Sequence, residues 1–280
     1  MNVRQLRISR RSVALVAGFV GMVSLAIGAH AALNKRALDA AKAIGTEQAG
    51  DAAKKPARLA LVIGNGHYPD ASQPLNQPIN DARALTATLR QSGFDVDVVE
   101  DASKDDMLRA VGRLKSKIKA DSVVMLFFGG YGIQAGRESY MIPVDARIWK
   151  EGDVRREGIS VESVLDGIKE KGAHARLVVI DASRRNPYER RFRSYSHGLA
   201  PINSPDNALI ISSASPGKVV DDSKGQNSVL VTELLNNLAA KSSGIESVFK
   251  KTRVAISRAS DGEQVPTVSS SLLDDISFGG

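Results

Sequence analysis

The sequence predicts an α/β fold in three layers: a mainly parallel sheet with helices on both faces. Short, continuous apolar runs such as Leu59-Ala60-Leu61-Val62-Ile63 and Val123 to Phe128 read as strands buried on both sides. Between them lie segments with apolar residues at helical spacing. Such strand–helix–strand alternation requires right-handed crossovers and parallel pairing.

Taken in order, the run from Leu59 to Ile63 ends at a turn, Gly64-Asn65-Gly66. Asn80 is placed to cap a helix whose Ala82, Ala84, Leu85 and Leu89 share one side and which ends near Gly93. Asp95 to Val99 is the second strand. Ser103 to Ala120 is an amphipathic helix presenting Met107, Ala110, Val111, Leu114 and Ile118 to the core. Val123 to Phe128 is stopped by Gly129-Gly130; Ser160 to Lys171 forms a helix, Leu177 to Ala182 a strand and Ala208 to Ser213 another. Helices around Ser228 to Ala240 and Gly244 to Ala259 follow, with a last strand expected near Asp274 to Phe278. In parallel sheets the working site lies beyond the carboxyl ends of the strands, here the loops after Ile63, Phe128 and Ile180.

The N-terminus has a different character. Met1 to Arg11 is basic, Val13 to Ile27 is almost wholly apolar, and Ala29-His30-Ala31 suits signal peptidase. The expectation is export to the periplasm or beyond. The apolar stretch from Ser12 to Leu33 also approaches the roughly 20 residues that span a bilayer, so an uncleaved inner-membrane anchor is the alternative. Asn34 to Ala57 is poor in large apolar residues and reads as a linker, leaving residues 58–280 as the folded domain. Arg4, Arg7, Arg10 and Arg11 supply four of the seven net positive charges, so the remainder carries only +3 and nucleic acid is not an expected partner. With no cysteine, disulfides, thiolate metal sites and a cysteine nucleophile are excluded.

Several short signatures then occur in a fixed order: Leu61-Val62-Ile63-Gly64-Asn65, Asn80-Asp81-Ala82-Arg83, Phe127-Phe128-Gly129-Gly130-Tyr131-Gly132-Ile133-Gln134, Tyr140-Met141-Ile142-Pro143-Val144-Asp145, Ile180-Asp181-Ala182-Ser183-Arg184 and Asn186-Pro187-Tyr188. In these the chain resembles the caspase-like peptidases of the C14 type, especially bacterial and metacaspase-like members, from about Arg58 to the C-terminus. The resemblance implies a caspase–hemoglobinase fold. It implies a catalytic His after the third strand and a Cys after the fourth. Tyr131 and Ser183 stand at those positions, 52 residues apart, close to the separation of about 50 known for caspases. A tyrosine with pKa near 10 offers no imidazole-like base, and a serine without one is a weak nucleophile. The expected outcome is a pseudoenzyme.

The resemblance also implies a pocket for basic side chains, lined by two acids matched here by Asp81 and Asp181; the small serine that accompanies them is replaced by Gly129. A protein or peptide with basic residues is therefore an expected partner. Structural roles are the competing reading: Asp81 as a helix-start carboxylate and Asp181 as a strand-end turn former. Of the histidines, His30 lies in the expected export signal and His174 at the wrong end of the sheet, while His67 and His197 are the ones placed to assist Ser183, against the plainer reading of each as an exposed loop histidine. Arg184, Arg185, Arg190, Arg191 and Arg193, with Tyr188, Phe192 and Tyr195 among them, form a loop read as solvated or as a dock for an acidic partner. No cofactor and no metal spacing is expected; Asp101, Asp105, Asp106, Asp221 and Asp222 read as solvated rather than calcium-binding. Three functions follow: a non-catalytic peptide-binding module, a hydrolase using Ser183, and a structural envelope protein.

Overall fold

The computed structural model describes residues 56–69, 74–185, 187–188, 198–204, 206–220, 225–239 and 244–278. Pro56–Gly280 is one compact unit. The expected signal, anchor and most of the linker lie outside the described residues. Ala57 already belongs to the fold, since its carbonyl accepts a hydrogen bond from Val123 N–H at 2.8 Å.

The central sheet has six strands: β1 (Arg58–Gly64), β2 (Asp95–Glu100), β3 (Val123–Gly129), β7 (Ala175–Asp181), β8 (Ala208–Ser212) and β9 (Thr267–Ser270), in the order β2-β1-β3-β7-β8-β9. All neighbours are parallel except β8 and β9. A small antiparallel sheet of β4 (Gly132–Ala135), β5 (Glu138–Met141) and β6 (Ile159–Ser160) follows β3 in the chain.

Alternation along the strands divides the core. On one face Leu61, Ile63, Leu126, Phe128, Val178 and Ile180 pack against α2 (Lys104–Lys117) and α4 (Val161–Glu170). On the other, Val62, Met125, Phe127, Val179 and Ile211 pack against α1 (Gln77–Gln91), α5 (Val229–Leu238) and α6 (Ile245–Ala259). The three expected layers are present. A third cluster joins Tyr68, Tyr131, Ile133, Ile142 and Tyr188 beside the small sheet, next to the short helix α3 (Glu151–Glu157).

Element boundaries differ from expectation in instructive places. Helix α1 starts at Gln77, capped by position Asn76 with Pro78 in its first turn, so Asn80 is an interior residue and not the cap. Proline at that point costs nothing, because first-turn amides lack intrahelical acceptors. Ser103 does cap α2: its Oγ accepts from Asp106 N–H while the Asp106 carboxylate accepts from Ser103 N–H. The last strand is Thr267–Ser270, not Asp274 to Phe278. Phe278 instead packs its ring on Phe94, centroids 5.4 Å apart, and its carbonyl accepts from the Arg58 guanidinium.

Candidate functional site

The expected site lies where β3 and β7 end side by side. Their register pairs Gly129 with Asp181. Immediately beyond, Gly130 N–H donates to the Asp181 carbonyl at 3.2 Å and Gly132 N–H to the Ala182 carbonyl at 3.0 Å. This stitching brings Tyr131 and Ser183 to one junction. Tyr131 N–H donates to the hydroxyl of Tyr68 at 3.0 Å, and that hydroxyl donates to the Ile142 carbonyl at 2.9 Å. The two rings meet edge-on with centroids 4.8 Å apart. Burial pushes the Tyr68 phenol well above its ordinary range, so it stays protonated as a donor.

Ser183 is buried, only 1% exposed, and its Oγ has no hydrogen-bond partner. Its N–H donates to Ser213 Oγ at 3.4 Å and its carbonyl accepts from Val220 N–H at 2.7 Å. Arg184 N–H turns back to the Ala182 carbonyl at 2.9 Å. The backbone amides of Gly130, Tyr131, Gly132, Ser183 and Arg184 thus each have an acceptor within the protein. An oxyanion hole needs such amides aimed at a substrate oxygen instead.

Asp81, on α1, and Asp181, at the end of β7, are both buried. Asp81 Oδ1 accepts from Asn227 Nδ2 at 2.9 Å and from Ser228 N–H at 3.0 Å, while its Oδ2 has no partner. Burial first, and then the neighbouring Asp181 carboxylate, push the Asp81 pKa up to about 7. Asp181 Oδ2 likewise lacks a hydrogen bond, with the Arg184 guanidinium 3.7 Å away. The predicted acid pair is therefore assembled. Gly129 closes its edge, and a Cβ there would sit 3.3 Å from both the Phe127 ring and Pro78.

Arg184 corrects the expectation of a solvated arginine loop. It is 5% exposed and its guanidinium donates to the carbonyls of Gly130, at 2.9 Å, and Asp181. Tyr188, expected in a binding loop, is a core residue instead. Arg185 is exposed; Arg190, Arg191, Phe192, Arg193, Tyr195 and His197 lie outside the described residues.

His67 reaches the right end of the sheet but pairs elsewhere. Its Nδ1 is 2.6 Å from Asp101 Oδ2, its side chain is 72% exposed, and Asp101 Oδ1 accepts from the amides of Gly66 and His67. Partial burial pushes the Asp101 carboxyl up, yet these hydrogen bonds prevail and hold it below its ordinary value. Asp101 takes a left-handed conformation, φ 47°, to make them. Nothing in the residue order marks this pair, whose members are 34 residues apart. Among the described residues no cluster of three or more histidines and carboxylates is arranged to hold a metal ion.

A caspase-domain model of the C14 peptidases matches residues 57–277. The chain belongs to the caspase-domain family. Over 145 residues this caspase domain is 30% identical to human mucosa-associated lymphoid tissue lymphoma translocation protein 1, and to the same extent to its mouse homologue. The similar stretch is 51% of this chain and 17% of either relative, so the match concerns a small part of those proteins.

Proposed function

We propose that this caspase domain is an exported, non-catalytic module that binds a peptide or protein through a basic side chain at Asp81 and Asp181. The observation that carries the reading is the state of Ser183: a buried hydroxyl with no hydrogen-bond partner among the described residues, ringed by amides already committed to internal acceptors. Removal of the catalytic pair from such a site leaves only binding contributions to rate. The buried carboxylates keep one oxygen each without a hydrogen bond, a combination that favours a guanidinium or ammonium guest. Export rests on the basic and apolar N-terminal segment ending at Ala29-His30-Ala31.

One observation favours a second reading, a serine hydrolase. Asp101 Oδ2 lies 2.6 Å from His67 Nδ1, so a carboxylate orients the ring as it does in the triad of serine hydrolases. Activity by that route requires Ser183 to leave its buried position.

Hydrolysis of fluorogenic peptides with Arg or Lys at the cleaved position, by the full chain, separates the two. The expected result is no turnover by wild type, and binding of an uncleavable arginyl peptide that D81N/D181N abolishes. Cleavage appearing in Tyr131→His/Ser183→Cys would mark a preserved pocket around a lost catalyst. Wild-type turnover that disappears in both Ser183→Ala and His67→Ala would overturn the proposal and establish the hydrolase.

A further inference from the structure

Two neighbouring buried carboxylates need offsetting charge. Asp81 and Asp181 are 0% and 1% exposed, and Oδ2 of each lacks a hydrogen bond. Out of contact with solvent, such charges are held only where a cation or a proton balances them. The wall of the cleft supplies one cation. From the turn after β7, Arg184 places its guanidinium 3.7 Å from Asp181 Oδ2. Donation to the carbonyls of Gly130 and Asp181 fixes that guanidinium in place.

Among the described residues no second cation pairs with either acid. Arg83, two residues along α1 from Asp81, turns outward to Glu100 at 2.6 Å. The start of α5 offers Ser228 N–H and the neutral amide of Asn227, both donating to Asp81 Oδ1. Gly129 ends β3 without a side chain, Ser213 just past β8 is neutral, and the phenol of Tyr68 stays protonated. His67 is engaged at Asp101. Two acids therefore face one arginine. The dipole of α5 and two hydrogen bonds favour an ionised Asp81, but burial and the Asp181 carboxylate outweigh them, and Asp81 takes up a proton readily.

We propose that the cleft captures its cationic guest by exchange for a proton: Arg184 offsets one negative charge of the Asp81–Asp181 pair permanently, and a proton offsets the second until a guanidinium or ammonium replaces it. The exchange presupposes the pocket for basic side chains proposed above and gives it a switch. Oδ2 of Asp81 is where the proton is held, because Oδ1 already accepts two hydrogen bonds. Protonated, the two acids and Arg184 are together neutral and hold a cation weakly. Ionised, they carry one net negative charge. The step balances: one proton leaves Asp81 for solvent and one positive charge enters with the guest. Acid surroundings therefore empty the cleft, and neutral or alkaline ones load it. A carboxylate in water is ionised throughout pH 5 to 8 and would show no such dependence.

The test is isothermal titration calorimetry of the full chain with the uncleavable arginyl peptide, in two buffers of different protonation heat. With the Asp81 carboxyl pushed up to about 7, linkage weakens binding by about tenfold from pH 8 to pH 6 and about a hundredfold from pH 8 to pH 5. The buffer-dependent heat should report roughly one proton released at pH 6 and about a tenth of one at pH 8. Asp81→Asn should bind weakly, with the same affinity at every pH. A peptide with citrulline in place of arginine, similar in shape but uncharged, should bind weakly and release no proton. Affinity that stays flat from pH 5 to 8, or equal heats in the two buffers at pH 6, would overturn the exchange while leaving the pocket in place. So would equal proton release by the citrulline peptide. Failure of the arginyl peptide to bind at any pH would overturn the pocket itself, and the exchange with it.

Discussion

Asp81→Asn probes the buried carboxylate most directly. The pKa of Asp81 rises from 3.8 unfolded to about 7 folded, chiefly through burial and then through Asp181. A group whose folded pKa is raised gives its full stabilisation below the unfolded value and loses it as pH climbs to the folded one. The loss between pH 3.8 and 7 is about three pKa units at 1.36 kcal/mol each, roughly 4 kcal/mol, and is constant above pH 7. Asparagine keeps an oxygen for Asn227 Nδ2 and Ser228 N–H and carries no charge. Its stability is therefore free of this pH dependence, and any fixed cost of the new amide appears equally at every pH. Between pH 5 and pH 8 the advantage of Asp81→Asn over wild type should grow by about 3 kcal/mol, or roughly 6–12 °C in Tm for a domain of this size. Thermal melts of both proteins at pH 5, 6, 7 and 8 measure it. A gap that stays flat across this range would refute the account, because it would mean an Asp81 that ionises normally. Asp181→Asn should also shrink the effect, by removing the second cause of the shift.

Tyr68→Phe removes the acceptor of the buried Tyr131 N–H and one of two donors to the Ile142 carbonyl, which keeps its bond from Asn65 Nδ2 at 3.2 Å. At about 1–3 kcal/mol for the one group left without that acceptor, the melt should fall by roughly 2 °C or more; an unchanged Tm would remove Tyr68 as the pin of this junction. Gly198 has φ 72° and a Cβ there would run into the carbonyl of Lys218, whereas Gly93 has φ 82° and open space. Gly93→Ala should cost only the conformational penalty, about 1 kcal/mol, and Gly198→Ala distinctly more; denaturant midpoints that rank them equally would contradict the packing of the 198–218 contact. Ser183→Ala should leave Tm unchanged or raise it, since the hydroxyl it deletes is buried without a partner while the main-chain bonds of residue 183 remain. A fall of more than about 3 °C would reveal a hydroxyl engaged in the folded state.

The central strands were legible because continuous apolar runs have few alternatives in a chain of this kind, and Leu59 to Ile63, Val123 to Phe128 and Leu177 to Ile180 all sit in the sheet. The small sheet was not, because its strands are two to four residues long and carry Gly132, Gln134, Ser139 and Ser160 where periodicity would be read. The misplaced last strand has a similar cause. Ile276 and Phe278 alternate like a strand, but they cover the helical face of the core, while Thr267–Ser270 offers one large apolar residue and is held by pairing to β8. At the site, Asp81, Asp181, Tyr131 and Ser183 were all marked by the resemblance to caspase-like peptidases, and the fold brings Tyr131 to Ser183 and Asp81 to Asp181. Arg184 was not separable from its neighbours in the arginine run. Only the carbonyls of Gly130 and Asp181, donated by two strand ends remote in sequence, distinguish a buried guanidinium from a solvated one. Asn65 and Tyr68 were missed for the same reason: their partners, Ala102, Ile142 and Tyr131, come from other loops.

The condition of the β3–β7 junction bears on the proposal that this domain binds without cleaving. A working acyl-transfer site keeps amides and a nucleophile uncommitted until substrate arrives, and such preorganised, unsatisfied groups lower stability. Here that cost is absent at the main chain: five amides from Gly130 to Gly132 and at Ser183 and Arg184 donate internally, and Val220 closes over the Ser183 carbonyl. It is present at the acids, where Asp81 Oδ2 has no hydrogen bond and Asp181 Oδ2 has only an ion pair with the Arg184 guanidinium at 3.7 Å, too far for a hydrogen bond. Two buried carboxylates kept in mutual repulsion are expensive if nothing ever binds them. Replacement of either by asparagine would relieve the repulsion with almost no change of shape. Their presence beside that junction supports the proposed use of the cleft in recognition rather than cleavage.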